Sequence, residues 1–259
     1  MKAQLIVLSA ALYLATQAFA YAGPREEAKI LEATQVLEDK EAMPDENVPD
    51  WLLSRAQGIA ILPTVIKAGL GIGGRGGKGV LVVRNAQGRW SNPAFITLAG
   101  GSIGWQIGVE TSDIILVFTT RRGVEGLTGG KVTLGADASV AAGPVGRQSS
   151  AATDLQFQAE VYSYSRAKGL FAGISIDGSV ISIDHNANSR YYQRTDVLAS
   201  DIFSGNAPAA PASAQKLLEA LRRLPGNNEG PVAPAPTTST TPPPQTTSNA
   251  PPPSDRGLE

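Results

Sequence analysis

The sequence predicts an α+β fold in which N-terminal helices pack on a curved, glycine-rich antiparallel β-sheet that closes into a barrel or sandwich. Apolar residues recur at helical spacing up to about residue 58 and at every second position from about 59 to 195. The chain also has 28 glycines, which let strands bend and approach one another closely. We therefore expect the glycine-rich segment 69–79 to be architectural.

The first twenty residues have the pattern of a secretory signal peptide. Lys2 precedes an apolar run that ends at Leu14, and Ala18-Phe19-Ala20 is a small-x-small cleavage site. The run is too short to span a bilayer comfortably. We therefore expect a cleaved leader over residues 1–20 and a periplasmic or secreted protein, with no lipoprotein cysteine to anchor it.

Residues 24–58 are predicted to form two helices. Ile30 and Leu37 belong to an apolar series at helical spacing, and acidic residues follow the first proline, where they complement the helix dipole. Pro44 and Pro49 interrupt the series, and the second of them suits the first turn of a new, short helix.

The central part of the chain is predicted to consist of strands. Segments 79–84 and 113–118 are apolar and rich in β-branched residues, segment 90–97 is predicted to be extended after the turn at 85–88, and residues 155–162 alternate strictly between apolar and polar. Asp177-Gly178 is a favoured two-residue turn. It predicts a hairpin in which Ile174 lies opposite Ile181, because the apolar residues of both arms then share one face.

The C-terminal part is predicted to be a short helix followed by a disordered tail. Leucines at 217, 218, 221 and 224 form one stripe within 213–224. Ten of the 18 prolines lie in 225–259, among Thr, Ser, Asn and Gln, so this tail buries nothing. The predicted organisation is a leader (1–20), one domain (24–206), a helix and linker (207–224) and the tail (225–259).

Composition excludes several kinds of site. The chain has no cysteine, so disulfides, thiol nucleophiles and Cys-ligated metals are excluded, and a single histidine excludes multi-His metal sites. The formal net charge of −1 gives no electrostatic case for nucleic acid as a partner. We expect no metal and no cofactor.

The charges are segregated along the chain. Residues 24–50 carry nine acidic and three basic side chains, whereas residues 51–109 carry six basic ones and no carboxylate. Either the acidic helix lies over the basic strands and the charges pair, which stabilises little at a surface, or the basic side chains form a patch for anionic lipid headgroups or other phosphates.

One catalytic motif also occurs. Gly100-Gly101-Ser102-Ile103-Gly104 matches the G-x-S-x-G elbow of serine hydrolases, and His185 follows downstream. The elbow requires a sharp strand-to-helix turn, whereas the residues after Ser102 are predicted to form strands. A hydrolase built on Ser102 and His185 is therefore the weakest of the functional alternatives.

A longer series of motifs runs in order across about residues 28–195. It comprises Arg55-Ala56-Gln57-Gly58-Ile59-Ala60-Ile61-Leu62-Pro63, Lys67-Ala68-Gly69, Gly77-Lys78-Gly79-Val80, Trp90-Ser91-Asn92-Pro93-Ala94-Phe95, Gly104-Trp105-Gln106-Ile107-Gly108, Ala142-Gly143-Pro144-Val145-Gly146-Arg147 and Tyr162-Ser163-Tyr164-Ser165-Arg166-Ala167-Lys168-Gly169-Leu170-Phe171-Ala172-Gly173. This series resembles the SYLF-domain family.

The resemblance implies a non-enzymatic lipid-binding module. Eukaryotic members bind phosphoinositides, fungal members also associate with actin, and bacterial members are usually exported. Eukaryotic members place an amphipathic N-terminal helix on the membrane, whereas the helix here is acidic. Neither phosphoinositide specificity nor actin binding is carried over to this chain. A bacterial envelope contains little phosphoinositide, and an exported bacterial protein does not encounter actin.

The sequence therefore predicts reversible binding of anionic phospholipid at the bacterial envelope through a basic surface. The residues expected to supply the charge are Lys67, Arg75, Lys78, Arg84 and Arg89; second candidates are Arg166 and Lys168, with Tyr162 and Tyr164 as interfacial aromatics. Arg166 and Lys168 share the tyrosines' face only if that strand continues past Ser165. The main alternative is an envelope scaffold protein that docks a partner through the C-terminal helix and tail.

Overall fold

The computed structural model describes residues 23–41, 48–85, 87–145, 159–167 and 170–224. The expected leader over 1–20 and the expected tail over 225–259 lie outside these residues. So do Lys168 and most of the strand predicted at 155–162.

Six helices and seven strands are formed by these residues. They are α1 (Pro24–Glu41), α2 (Asp50–Ser54), β1 (Gly58–Val83), β2 (Ala94–Phe118), α3 (Arg121–Thr128), β3 (Lys131–Thr133), β4 (Val140–Ala142), β5 (Val161–Ala167), β6 (Leu170–Gly173), β7 (Val180–Ile183), α4 (His185–Tyr191), α5 (Ala199–Ser204) and α6 (Ala212–Arg223). The helices predicted within 24–58 and 213–224 are confirmed. In the described part of the chain, no helix combines the length and the apolar character that a bilayer crossing requires.

All seven strands belong to one sheet, which confirms the predicted α+β architecture. Its main path is β3-β7-β2-β5-β4, with β1 on β2 and β6 on β5. Of the six strand pairs described, five are antiparallel and one, β4 with β5, is parallel. The sheet is therefore mixed rather than purely antiparallel. Residues 143–160 separate β4 from β5 along the chain, which is long enough for the crossover that a parallel pair requires.

The centre of the sheet is a long ribbon formed by β1 and β2. Their pairing runs from Gly58 opposite Phe118 to Leu81 opposite Ala94, with irregularities in register at 62/65 and 70/71. The ribbon folds back on itself, because a Cβ on Gly79 would lie 2.1 Å from the carbonyl oxygen of Ile61. Only glycine allows two stretches of β1 to approach so closely, so the architectural role predicted for segment 69–79 is confirmed at Gly79.

Two hydrophobic clusters lie on opposite faces of this ribbon. Ile61 and Val82 face the first, which the helices α1 and α6 complete. Leu62 and Leu81 face the second, to which Val124 of α3 contributes. Adjacent residues of one strand thus serve different cores, as the alternation of side chains in a strand requires.

The C-terminal helix α6 is part of the first core. Leu217 and Leu221 are fully buried in it, and Leu224 just after the helix is buried as well. The helix expected within the linker 207–224 is therefore packed into the domain. The apolar stripe that the scaffold alternative assigns to a partner faces the core instead.

The hairpin predicted around Asp177-Gly178 is wrong. The turn itself is present, with Gly178 at φ +72° and the amide of Ser179 bonded to the carbonyl of Ile176. Its two arms do not pair, because Ile181 lies between Leu98 of β2 and Val132 of β3. The alternation of apolar residues shows which side chains share a face of a strand, but it does not show which strand lies beside it.

Candidate functional site

The basic residues predicted on β1 are spread along the ribbon, and each lies beside a polar group. Lys67 is directly opposite Glu110 of β2. Arg75 donates from Nη1 to the carbonyl oxygen of Ser175 at 3.2 Å. Partial burial lowers the pKa of the Arg75 guanidinium. These cations lie apart along the ribbon rather than in one patch.

Lys78 is held by a carboxylate. Its Nζ lies 2.8 Å from Asp184 Oδ2, and Asp184 Oδ1 accepts from the backbone N–H of Ala187 as the N-cap of α4. Burial acts to raise the pKa of Asp184, but the bonds from Lys78 and Ala187, with the charges of Lys78 and Arg190, lower it overall. Much of the Lys78 charge is therefore neutralised within the protein.

Arg166 is a structural residue. Its guanidinium lies 2.7 Å from Asp39 of α1 and 3.3 Å from Asp113 of β2. Asp113 also accepts from the backbone N–H of Thr64, a β1 residue at φ +57°. Arg166 thus ties α1 to the sheet, and its assignment as a lipid contact is corrected, because a cation bound to two carboxylates attracts little further negative charge.

The acidic helix α1 makes a second ion pair of the same kind near its start. Arg190 Nη2 lies 2.6 Å from the buried carboxylate of Glu26. Arg166 and Arg190 both come from beyond the carboxylate-free segment 51–109. These two carboxylates of α1 therefore bind arginines that do not belong to the basic strands.

Tyr162 and Tyr164 are buried in the first core, so their assignment as interfacial aromatics is wrong. The Tyr164 hydroxyl donates to the carbonyl oxygen of Pro144 at 3.0 Å. Burial raises the pKa of both tyrosines. The strand does continue past Ser165 to Ala167, so Arg166 shares their face of β5, as the alternation required.

Arg84 and Arg89 lie at the end of the ribbon. The Arg84 guanidinium is buried against the ring of Trp90, with 4.5 Å from Cζ to the ring centroid. The side chain of Arg89 is exposed on the turn that joins β1 to β2. Arg84 therefore positions the indole, and Arg89 presents its charge to solvent.

Two backbone hydrogen bonds made by Gln57 bring three chain segments together beside Arg84. The Gln57 N–H donates to the carbonyl of Phe118 at 2.7 Å, and its carbonyl accepts from the N–H of Arg84 at 2.8 Å. The segments are 51–57, 84–90 and 118–122. We call their five arginines the arginine end: Arg55, Arg84, Arg89, Arg121 and Arg122.

The sequence reasoning missed most of the arginine end. Arg121 and Arg122 were not candidates, and Arg55 was counted among the basic residues of 51–109 without being assigned to the site. Their proximity follows from the register that pairs Gly58 with Phe118. A prediction of that register would have placed the start of β1 beside the end of β2.

The hydrolase arrangement is not formed. Ser102 lies within β2, opposite Gly73 of β1, so no strand-to-helix turn presents it. His185 is the first residue of α4, after its N-cap Asp184. Within the described ranges, no three His, Asp or Glu side chains are grouped in a way that could hold a metal ion.

The chain is an α+β domain built on one mixed sheet. Residues 99–224 match the family model Ysc84, described as "Las17-binding protein actin regulator". The chain belongs to this Ysc84 (SYLF) family, as the motif series predicted.

Curated relatives support the same assignment. The chain is 40% identical over 179 residues to the human SH3 domain-containing YSC84-like protein 1, which covers 69% of this chain and 52% of the relative. It is 37% identical over 198 residues to the Xenopus laevis protein of that name (76% and 58%). It is 39% identical over 172 residues to Protein YSC84 of Saccharomyces cerevisiae (65% and 36%). The chain thus spans about half the length of the vertebrate relatives and less of the yeast protein.

Proposed function

We propose that this protein is a non-catalytic module that binds anionic phospholipid surfaces reversibly, at the envelope of a bacterium. The observation that carries the proposal is that two carboxylates of the acidic helix α1 form ion pairs with arginines outside the basic segment. Asp39 and Glu26 of α1 bind Arg166 and Arg190, so these carboxylates do not neutralise the basic segment 51–109. Within that segment, Arg55 and Arg89 present exposed side chains to solvent.

Electrostatic attraction of this size produces reversible rather than permanent binding. Each cation near an anionic membrane contributes about 1 kcal/mol, and the attraction falls off within a Debye length. A handful of exposed arginines and lysines therefore supports weak, reversible association that salt weakens further. The expected leader would deliver the protein to the envelope, where actin is absent, so we propose no actin partner.

The proposal is tested by co-sedimentation of residues 21–259 with lipid vesicles. We expect binding to phosphatidylcholine vesicles containing roughly a third phosphatidylglycerol. Binding should be weaker by at least tenfold to pure phosphatidylcholine, and should fall again when salt is raised from about 0.05 M to about 0.5 M.

Absence of sedimentation with the anionic vesicles at low salt would overturn the proposal. Binding of equal strength to both vesicles would also contradict it, because the charge of the protein would then play no part.

A protein-binding adaptor is the second candidate. It is favoured by the description of the family model and by the name of a Saccharomyces cerevisiae relative, "LAS seventeen-binding protein 3". The buried stripe of α6 is not available to such a partner. The scaffold alternative assigns its partner to the C-terminal helix and tail, so, with the helix buried, a chain that ends at Leu224 would lose such a partner but retain vesicle binding.

A further inference from the structure

We propose that the arginine end is the surface that contacts phospholipid headgroups. This inference rests on the proposed function and specifies which face of the domain performs it. It replaces the predicted strand patch of Lys67, Arg75 and Lys78, whose members face Glu110, Ser175 and Asp184.

The arginine end gathers charge that is dispersed in the sequence. Gln57 joins the start of β1 to both the end of β1 and the end of β2. Arg55 is two residues before Gln57, and Arg121 is three residues after Phe118. The turn that carries Arg89 is closed by a bond from the Asn85 N–H to the Arg89 carbonyl at 2.9 Å.

The exposed members of this set have the chemistry that phosphates require. Arg55, Arg89, Arg121 and Arg122 all have exposed side chains. A guanidinium offers a planar fork of donors that binds phosphate oxygens in pairs, and it is less strongly hydrated than an ammonium group.

Two tryptophans lie among these arginines. The Arg55 guanidinium is 5.8 Å from the ring of Trp51, and that of Arg84 is 4.5 Å from the ring of Trp90. Both indoles pack against the first core, and their Nε1 atoms are buried. The indoles therefore support the arginines rather than face the headgroups, and the phosphate contact is left to the guanidinium groups.

Three carboxylates lie in or beside these segments, namely Asp50 of α2, Glu125 of α3 and Glu160. One of them pairs with a member of the arginine end. Glu160 Oε1 is 3.8 Å from Nε of Arg122, whose side chain is 82% exposed. Arg55, Arg89 and Arg121 are thus the residues to change, and Arg122 is left in place.

The first test compares two triple variants of equal charge. We expect R55Q/R89Q/R121Q to bind the phosphatidylglycerol-containing vesicles on the order of a hundredfold more weakly, at roughly fivefold for each arginine. The matched control K131Q/R194Q/K216Q removes three exposed cations from other parts of the domain. It should bind within about threefold of the unmodified protein, because those residues would not face the membrane.

The second test locates the contact directly, because the chain has no cysteine of its own. A fluorophore sensitive to polarity is attached to Gln87→Cys, on the exposed turn of the arginine end, or to Val109→Cys. Val109 is 74% exposed and lies roughly 30 Å along the ribbon from its paired end. Vesicles should shift the emission of the label at position 87 to the blue and leave that at position 109 unchanged.

The outcomes separate this inference from the proposed function. If the unmodified protein does not bind vesicles, both are overturned and an acidic protein partner becomes the better candidate. If it binds, but both triple variants weaken equally or only the label at 109 responds, the function stands and the arginine end is rejected as its surface.

Discussion

Replacement of Gly79 by alanine is expected to destabilise the domain by about 3 kcal/mol or more, at the upper end of the cost of overpacking a core. The added Cβ would lie 2.1 Å from the carbonyl oxygen of Ile61 and 2.7 Å from the Cα of Leu62. Both are backbone atoms between two cores and cannot rotate away. The measurement is the midpoint of urea unfolding, followed by circular dichroism.

Gly74→Ala provides the matched control within the same strand. Its Cβ would meet only the carbonyl oxygen of Gly100, at 3.7 Å, which is an ordinary contact. We expect the free energy of unfolding to change by no more than about 1 kcal/mol. Alanine lowers the conformational entropy of the unfolded chain, and this stabilisation offsets a small steric cost in the folded state. Equal midpoints for the two variants would show that β1 does not fold back as described.

Truncation at Asn206 is expected to prevent folding. It removes α6, with the buried side chains of Leu217, Leu218, Leu221 and Leu224. Burial of a leucine side chain contributes about 1.5–3 kcal/mol, so the loss of four is comparable to the entire stability of a typical domain, about 5–15 kcal/mol. The truncated chain should show no cooperative thermal transition.

A chain that ends at Leu224 is the control for this truncation. It keeps α6 and its core contacts, and we expect its unfolding transition to match that of residues 21–259. The single substitution Leu221→Ala should cost about 2–5 kcal/mol in the longer chain. A cooperative transition in the chain ending at Asn206 would contradict the placement of α6 in the core.

The sequence predicted the elements of the sheet better than their connections. The alternation at 79–84 and 113–118 correctly identified strands, but both proved to be the ends of a much longer ribbon. Glycine has no side chain to show a period of two, so the segment between Gly69 and Gly79 carried no readable pattern. The partner of Ile181 was unpredictable for a related reason, because two different neighbours satisfy the same alternation.

The site was predicted less well than the fold, because charge and aromaticity do not reveal which face of a strand is covered. Tyr162 and Arg166 do share one face of β5, as their spacing indicated. That face lies under α1, where Asp39 binds the arginine and the core surrounds the ring. The arginine end depends on a register of distant segments, which local patterns do not encode.

The continuity of the β1–β2 ribbon has a consequence for the order in which the protein folds. Pairing near the 84–93 connection, such as Leu81 with Ala94, closes a short loop. Pairing of Gly58 with Phe118 closes a loop several times longer and costs more chain entropy. We therefore expect pairing to begin beside the connection and to spread toward Gly58 and Phe118. A substitution near the connection should then change the folding rate, whereas one near Gly58 or Phe118 should chiefly change the unfolding rate.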